Sequence, residues 1–340
     1  MTAKIWTDLD YLIGRVRAIH SRAYEGPRLV DLLNLRTPAD LSQALLPGEP
    51  ASDLGGLQRR LLEKYVGLLL LIWRHLQPPQ DRLFQVQGLR LELENLKFLL
   101  RTRLLGPAAP GEPPLVPLPA EFQWPGLHGS PLGGVKDVVA AIDDPRMRYA
   151  VGEAVKDFEA TGSPLVLDAR LDQAWFRLLG RAFAGLSAAD RNALRRLLHF
   201  EANAYNLMFL LRGRVNHQVE AEQLIRLVAP LGGSAGWTRQ AAQGEDVREI
   251  VGHAPAGLQR LLANVPPEIP AIERRLREGW AEAARATYHN SFNIAVPYGF
   301  VVLKRIELAN LTVVAEGLRY GLGADEVNSK LFHVEQLRRG

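Results

Sequence analysis

Three stretches of the 340-residue chain repeat one pattern: Glu92-Leu93-Glu94-Asn95-Leu96, Asn203-Ala204-Tyr205-Asn206-Leu207 and Glu307-Leu308-Ala309-Asn310-Leu311. Counted from the asparagine, each copy has aliphatic residues at positions −2, +1, +4 and +5. This spacing places the aliphatic side chains on one face of an α-helix and does not fit a strand. The pattern therefore predicts three long helices that each bury the same face.

A second landmark lies upstream of each stretch. Asp40, Asp137 and Asp246 are each followed by aliphatic residues at +1, +4 and +5, as in a short helix whose N-cap is the aspartate. Two landmarks in the same order, three times, predict three similar helical units. Their predicted bounds, with a Pro/Gly-rich linker at 108–134, are 1–107, 135–216 and 217–340.

The remaining amphipathic stretches also have a helical period, so the predicted fold is all-α. Long helices are predicted over 55–76, 167–186, 187–213, 270–290 and 298–320. The repeated asparagine lies beside the apolar stripe, and we predict that it bonds the preceding helix and fixes how the two helices pack. The motif positions are predicted to be structural: Glu92, Asn95, Leu96, Asn203, Asn206, Leu207, Glu307, Asn310 and Leu311.

The composition excludes several classes of protein. With 47% hydrophobic and 23% charged residues the chain has enough apolar material for a core, and the lack of cysteine excludes disulfide scaffolds, thiol catalysis and iron–sulfur clusters. The net charge of +4 is spread along the chain without a basic stripe, so no nucleic-acid partner is predicted. The longest apolar run, 66–73, is far shorter than the about 20 residues of a membrane-spanning helix.

One stretch matches a catalytic motif. Gly232-Gly233-Ser234-Ala235-Gly236 has the G-x-S-x-G pattern of serine hydrolases, and Asp246 and His253 follow it in the order of a triad. That motif needs a strand before the serine and a sheet around it, and no sheet is predicted, so a glycine-rich loop between helices is favoured. A serine hydrolase that uses Ser234 stays open as a minor alternative, beside a soluble helical scaffold.

Patterns for cofactors and metals are missing from the sequence. His199-Phe200-Glu201 has the H-x-E spacing of zinc deaminases, but their P-C-x-x-C partner is absent. Neither a P-loop nor a G-x-G-x-x-G stretch occurs. We therefore predict no catalytic residue, no cofactor, no metal and no small-molecule ligand.

The motifs resemble a known family, the C-type subunits of V-type and A-type ATPases (ATP synthases), whose eukaryotic counterpart is the d-type subunit. The similarity lies in the stretches 91–101 and 200–207, in 296–322, and in the opening helix at 11–17. Further matches are acidic and aromatic positions before the second motif, namely Asp168, Asp172 and Phe176. Two positions depart from the family pattern: Thr312 replaces an arginine, and Asn203 replaces an acidic residue.

The resemblance implies a funnel of three similar helical units around a pseudo-threefold axis. It also implies a non-catalytic piece of the central stalk, cytoplasmic and peripheral to the membrane. Such a piece couples shaft subunits of the D/F type to the membrane proteolipid ring and so serves proton or sodium transport. Which residues touch either partner is not implied.

Overall fold

The computed structural model describes residues 9–48, 51, 53–106, 115–128, 132–233, 235–290 and 292–332, which contain no β-strand. The all-α prediction is confirmed. The α-helices, in chain order, are α1 Leu9–His20, α2 Pro27–Asp31, α3 Pro38–Leu45, α4 Leu54–His75, α5 Gln80–Leu105, α6 Val135–Ala140, α7 Pro145–Thr161, α8 Pro164–Ala184, α9 Ala188–Leu211, α10 Ala221–Leu227, α11 Ala235–Gln243, α12 Val247–Gly252, α13 Ala256–Leu262, α14 Ile269–Asn290, α15 Ala295–Tyr320 and α16 Ala324–Lys330.

The five long helices predicted from periodicity correspond to α4, α8, α9, α14 and α15, and their ends lie within three residues of the predicted bounds. Local chemistry explains several ends. The Ser187 side chain accepts a hydrogen bond from the Asp190 amide at 3.1 Å and so caps α9. Gly321 ends α15 with a positive φ of 65°, which glycine adopts at low cost.

The predicted aspartate N-caps are only partly right. Asp246 is the N-cap of α12 and accepts two first-turn amides at 2.7 and 2.9 Å. Asp40 and Asp137 are instead the third residues after the true N-caps, which are Thr37 in α3 and Gly134 in α6. Each carboxylate accepts a hydrogen bond from the backbone amide of that N-cap residue. Because a carboxylate at either position can bond an open first-turn amide, the residue pattern alone does not distinguish the two registers.

The chain divides into two compact units. The first lies within Gln77–Leu276, and the second combines Lys4–Leu76 with Arg277–Gly340, so the division falls inside α14. These units are defined by contacts between residues. They do not test the three sequence repeats, whose bounds stay a prediction.

In the first unit α8 is the central helix and packs against both α5 and α7. Its buried aromatic pair, Trp175 and Phe176, is among the largest fully buried side chains of the described residues, and Trp175 Nε1 donates to the Val86 carbonyl of α5 at 2.8 Å. The motif helix α9 contributes Leu207, Leu210 and Leu211 to a second part of this core, with α10 to α13 around it.

In the second unit α15 is the central helix, with α1, α3, α4 and α16 packed on it. Its motif face supplies Leu311, Val314 and Ala315 to the core, where they meet leucines from residues 29–61. Nearer its N-terminus the helix buries Tyr298 and Phe300.

The described part of the predicted linker is packed. Residues 107–114 and 129–131 lie outside the described residues, but Phe122 and Trp124 between them are buried. The Phe122 ring lies so close to Gly88 of α5 that a Cβ on that glycine would come within 2.3 Å of it. This part of the proline-rich stretch therefore belongs to the surface that covers α5.

Candidate functional site

Each of the three motif asparagines makes the same pair of hydrogen bonds, and we call this arrangement an asparagine clasp. The side-chain Nδ2 donates to the carbonyl of one downstream residue, and the Oδ1 accepts from the backbone amide of that same residue. The Nδ2–O and Oδ1–N distances are 3.0 and 2.8 Å for Asn95 with Val116, 3.0 and 2.7 Å for Asn206 with Ala229, and 3.1 and 2.8 Å for Asn310 with Phe332.

The clasps correct the predicted partner of the asparagines. We predicted a bond to the preceding helix, whereas each asparagine holds a segment that follows its own helix, 21, 23 and 22 residues further along the chain. An amide side chain carries a donor and an acceptor side by side, so it can pair with both polar groups of one backbone residue. Such a pair stabilises a segment that has no helix or strand partner of its own.

The residue three before the asparagine differs among the copies. Glu92 is fully buried and its Oε1 lies 2.8 Å from the His128 imidazole and accepts the Trp124 amide at 3.0 Å. Glu307 likewise accepts a backbone amide, that of Tyr24, at 2.9 Å. Asn203 has a buried Oδ1 that has no hydrogen-bond partner among the described residues.

The leucine that follows each asparagine is buried, as the motif predicts. Leu96 and Leu207 are fully enclosed, and Leu311 is nearly so. Thr312, at the position that departs from the family pattern, donates its hydroxyl to the Leu308 carbonyl one turn earlier in α15, at 2.9 Å.

Two of the copies share a further feature that the predicted motif does not include. In each, the long helix is followed by a seven-residue helix, α10 or α16, and the clasped residue is the second one beyond its end. A glycine seven positions after the asparagine lets that short helix approach. A Cβ on Gly213 would lie 2.5 Å from Leu224, and one on Gly317 would lie 2.4 Å from Val327. A glycine at +7 in both motifs was the available sequence signal.

A buried charged cluster joins the first two motif helices through α8. Asp172 of α8 lies 2.7 Å from Lys97 Nζ and 2.9 Å from an Arg90 nitrogen, both on α5, and accepts the Tyr205 hydroxyl of α9 at 3.1 Å. Arg90 also stacks on Trp175 at 4.7 Å from the ring centroid. We call these residues the Asp172 cluster.

The electrostatics of the Asp172 cluster favour the ionised aspartate. Burial alone raises the pKa of Asp172, but the charges of Arg90 and Lys97 outweigh it and hold that pKa below its ordinary value. Burial and the neighbouring Asp172 carboxylate raise the pKa of Tyr205, which keeps its hydroxyl protonated as a donor. The cluster is thus a buried ion pair network around one carboxylate, in which Arg90 Nη1 lies at ion-pair distance from Asp172 without a hydrogen bond to a described residue.

Comparison with protein families gives a match over nearly the whole chain. The family model of the ATP synthase (C/AC39) subunit matches residues 12–330. The chain belongs to this family. It is the family of the C-type and d-type subunits of V-type and A-type rotary ATPases, as the motif resemblance implied. The curated proteins contain no match to the chain.

For this member of the C/AC39 family the hydrolase alternative finds little support. Ser234 lies outside the described residues, and the described part of the chain lacks the strand that a nucleophile elbow requires. Asp246 is engaged as the cap of α12, and His253 ends that helix. The described residues also contain no group of three His, Asp or Glu side chains placed to hold a metal ion. None of the described helices has the length and apolarity needed to cross a membrane.

Proposed function

We propose that this chain is a non-catalytic subunit of the central stalk of a rotary ATPase or ATP synthase. In this role it couples shaft subunits of the D/F type to the membrane proteolipid ring and so serves proton or sodium transport. The observation that carries the proposal is the C/AC39 family match over residues 12–330. The absence of cofactor, metal and small-molecule ligand is part of the same proposal.

We further propose that the chain is built from three related units that form a funnel around a pseudo-threefold axis. The three asparagine clasps support this, since they repeat one interaction on α5, α9 and α15 with nearly equal spans of chain. The shared geometry of α9 with α10 and of α15 with α16 supports it further. Three related units offer three similar surfaces, which suits a part that seats a shaft.

A rotor coupler must resist deformation when torque passes through it. Fully bonded polar groups inside a core rigidify it, because moving one partner leaves another unsatisfied at a cost of about 1–3 kcal/mol. The clasps are such groups, and the Asp172 cluster adds a buried ion pair network, on helices whose apolar faces are buried. These features support a stiff coupler, held at the cytoplasmic side of the membrane by its partners.

The test is recovery of the tagged full-length chain from mildly solubilised membranes of its own organism, followed by mass spectrometry. We expect the shaft subunits and the proteolipid to be recovered with it, and cross-links to identify both contact surfaces. The same tag on an unrelated helical protein is the control. Recovery of the chain alone in the soluble fraction, without any rotary ATPase component, would favour the scaffold alternative.

A further inference from the structure

A groove lined by arginines runs between α7 and α8 of the first unit. Its cavity has a volume of about 540 Å³. The cationic lining consists of Arg146 from α7 and of Arg170, Arg177 and Arg181 from α8. The three arginines of α8 are seven and four residues apart, so they follow one side of the helix.

The positive charge of this groove is largely uncompensated. Arg170 pairs with Asp157 at 2.7 Å, and the one carboxylate of the lining, Glu153, pairs with Lys156 at 2.9 Å. Arg146, Arg177 and Arg181 have no carboxylate within ion-pair distance among the described residues. Partial burial, followed by repulsion from Arg170 and Arg181, lowers the pKa of Arg177. An anion in the groove would relieve that repulsion.

The groove also offers apolar contact. Tyr149 of α7 is 70% exposed at its edge, and Met147, Ala150, Ala174 and Leu178 line it. Tyrosine and arginine are over-represented among residues that dominate the binding energy of protein interfaces. The lining of the groove therefore combines cations with apolar side chains.

The unpaired cations of the groove come from two helices. Arg177 and Arg181 are four residues apart on α8, about 6 Å at a rise of about 1.5 Å per residue, and Arg146 belongs to α7. Cations spread over two helices suit several carboxylates carried by one extended segment, which advances about 3.3 Å per residue.

We propose that the groove between α7 and α8 docks an acidic segment of a partner protein. Glutamate or aspartate side chains of that segment pair with Arg146, Arg177 and Arg181, and an apolar side chain packs beside Tyr149. The inference rests on the charges and shape of this groove and goes beyond the coupling role, because it holds whichever protein supplies the segment.

The test measures binding of a fluorescein-labelled oligoglutamate to the purified full-length chain by fluorescence anisotropy at low salt. The groove variant is Arg177→Ala with Arg181→Ala. The matched control, Arg195→Ala with Arg196→Ala, removes the same charge from exposed positions of α9. We expect the groove variant to bind about tenfold more weakly and the control to change less than about twofold. An oligoglutamine of the same length should not bind.

Two results would overturn the proposal. Equal weakening in both variants would mean that the peptide responds only to net charge. Sedimentation with phosphatidylserine vesicles that depends on Arg177 and Arg181, without peptide binding, would assign the groove to a lipid surface. Either result leaves recovery of the shaft subunits and the proteolipid untouched, so failure here is distinct from failure of the coupling role.

Discussion

The motif helices α5 and α9 share the asparagine clasp and differ on both sides of it. Three positions before the asparagine, α5 has the fully bonded Glu92, whereas α9 has Asn203 with an unbonded Oδ1. Seven positions after it, α5 has Thr102, whose hydroxyl bonds its own helix, whereas α9 is followed by Gly213 against Leu224.

The difference follows from the segment that each helix holds. The segment on α5 contains Trp124 and His128, which supply donors to Glu92. The segment on α9 contains the short helix α10, which needs a glycine for close approach, and its described residues supply no donor to the Asn203 Oδ1. The clasp is thus common to both helices. The residues three before and seven after the asparagine differ because the two clasped segments differ.

The largest effect is expected for Asp172→Asn, because Asp172 bonds residues of both α5 and α9. The substitution leaves Lys97 and Arg90 without their shared carboxylate in a buried site, at a cost of about 4 kcal/mol. The loss of stability is measured by urea unfolding of the wild type and the variant, monitored by circular dichroism. Because the folded-state pKa of Asp172 is lowered, its stabilisation is present above the ordinary aspartate pKa and is lost as the pH falls through the folded pKa.

The pH dependence of this stability difference distinguishes loss of the ion pairs from loss of packing. The difference in stability between wild type and Asp172→Asn should be constant from about pH 7 to 5 and should shrink below about pH 4. Asp168→Asn is the matched control one turn away, since its carboxylate is partly exposed and pairs with Arg101. We expect that control to change stability by less than about 1 kcal/mol. A difference at Asp172 that persists in acid would contradict the electrostatic explanation.

Asn206→Leu should cost about 3 kcal/mol, since it keeps the branched shape of the side chain but removes both of its buried hydrogen bonds to the backbone of Ala229. Asn95→Leu and Asn310→Leu should cost less, because their bonds are only partly buried. Thermal unfolding of the three variants ranks them. Unchanged melting temperatures for all three would mean that the asparagines serve a partner instead.

Gly213→Ala should destabilise by about 1–2 kcal/mol, because the new methyl group overlaps Leu224 and forces α10 to shift. Gly180→Ala in α8 is the control. Its added Cβ would lie 3.8 Å from the nearest side-chain atom, so the helix should gain up to about 1 kcal/mol. The same sign for both variants would argue against a close approach at Gly213.

The smallest effect is expected for Asn203→Ala. The Oδ1 of Asn203 has no hydrogen-bond partner among the described residues, so its removal should alter the free energy of unfolding by less than about 0.5 kcal/mol. Glu92→Ala, at the matching position of α5, should cost several times more in the same urea titration. Equal losses of stability in the two variants would contradict the different roles assigned to Glu92 and Asn203.

Periodicity predicted the long helices and the buried face of each motif because both depend on residues close in sequence. It did not predict what the asparagines hold. The position of a residue on a helical face does not determine which segment of the chain packs against that face, so the pattern could not distinguish the preceding helix from the following segment. Asp172 was recognised as a family position, but its partner Lys97 is 75 residues away and nothing in the pattern pairs them.

The three clasps also have a consequence for how the chain folds. Each closes a loop of similar length, 21, 23 or 22 residues. The chain entropy lost in closing such a loop grows only with the logarithm of its length, so doubling it costs only about 0.6 kcal/mol. Ring closure over such short spans is also fast compared with pairing of distant segments. Insertions within these loops should therefore be tolerated far better than loss of one amide, and we expect each closed loop to form early in the folding of its unit.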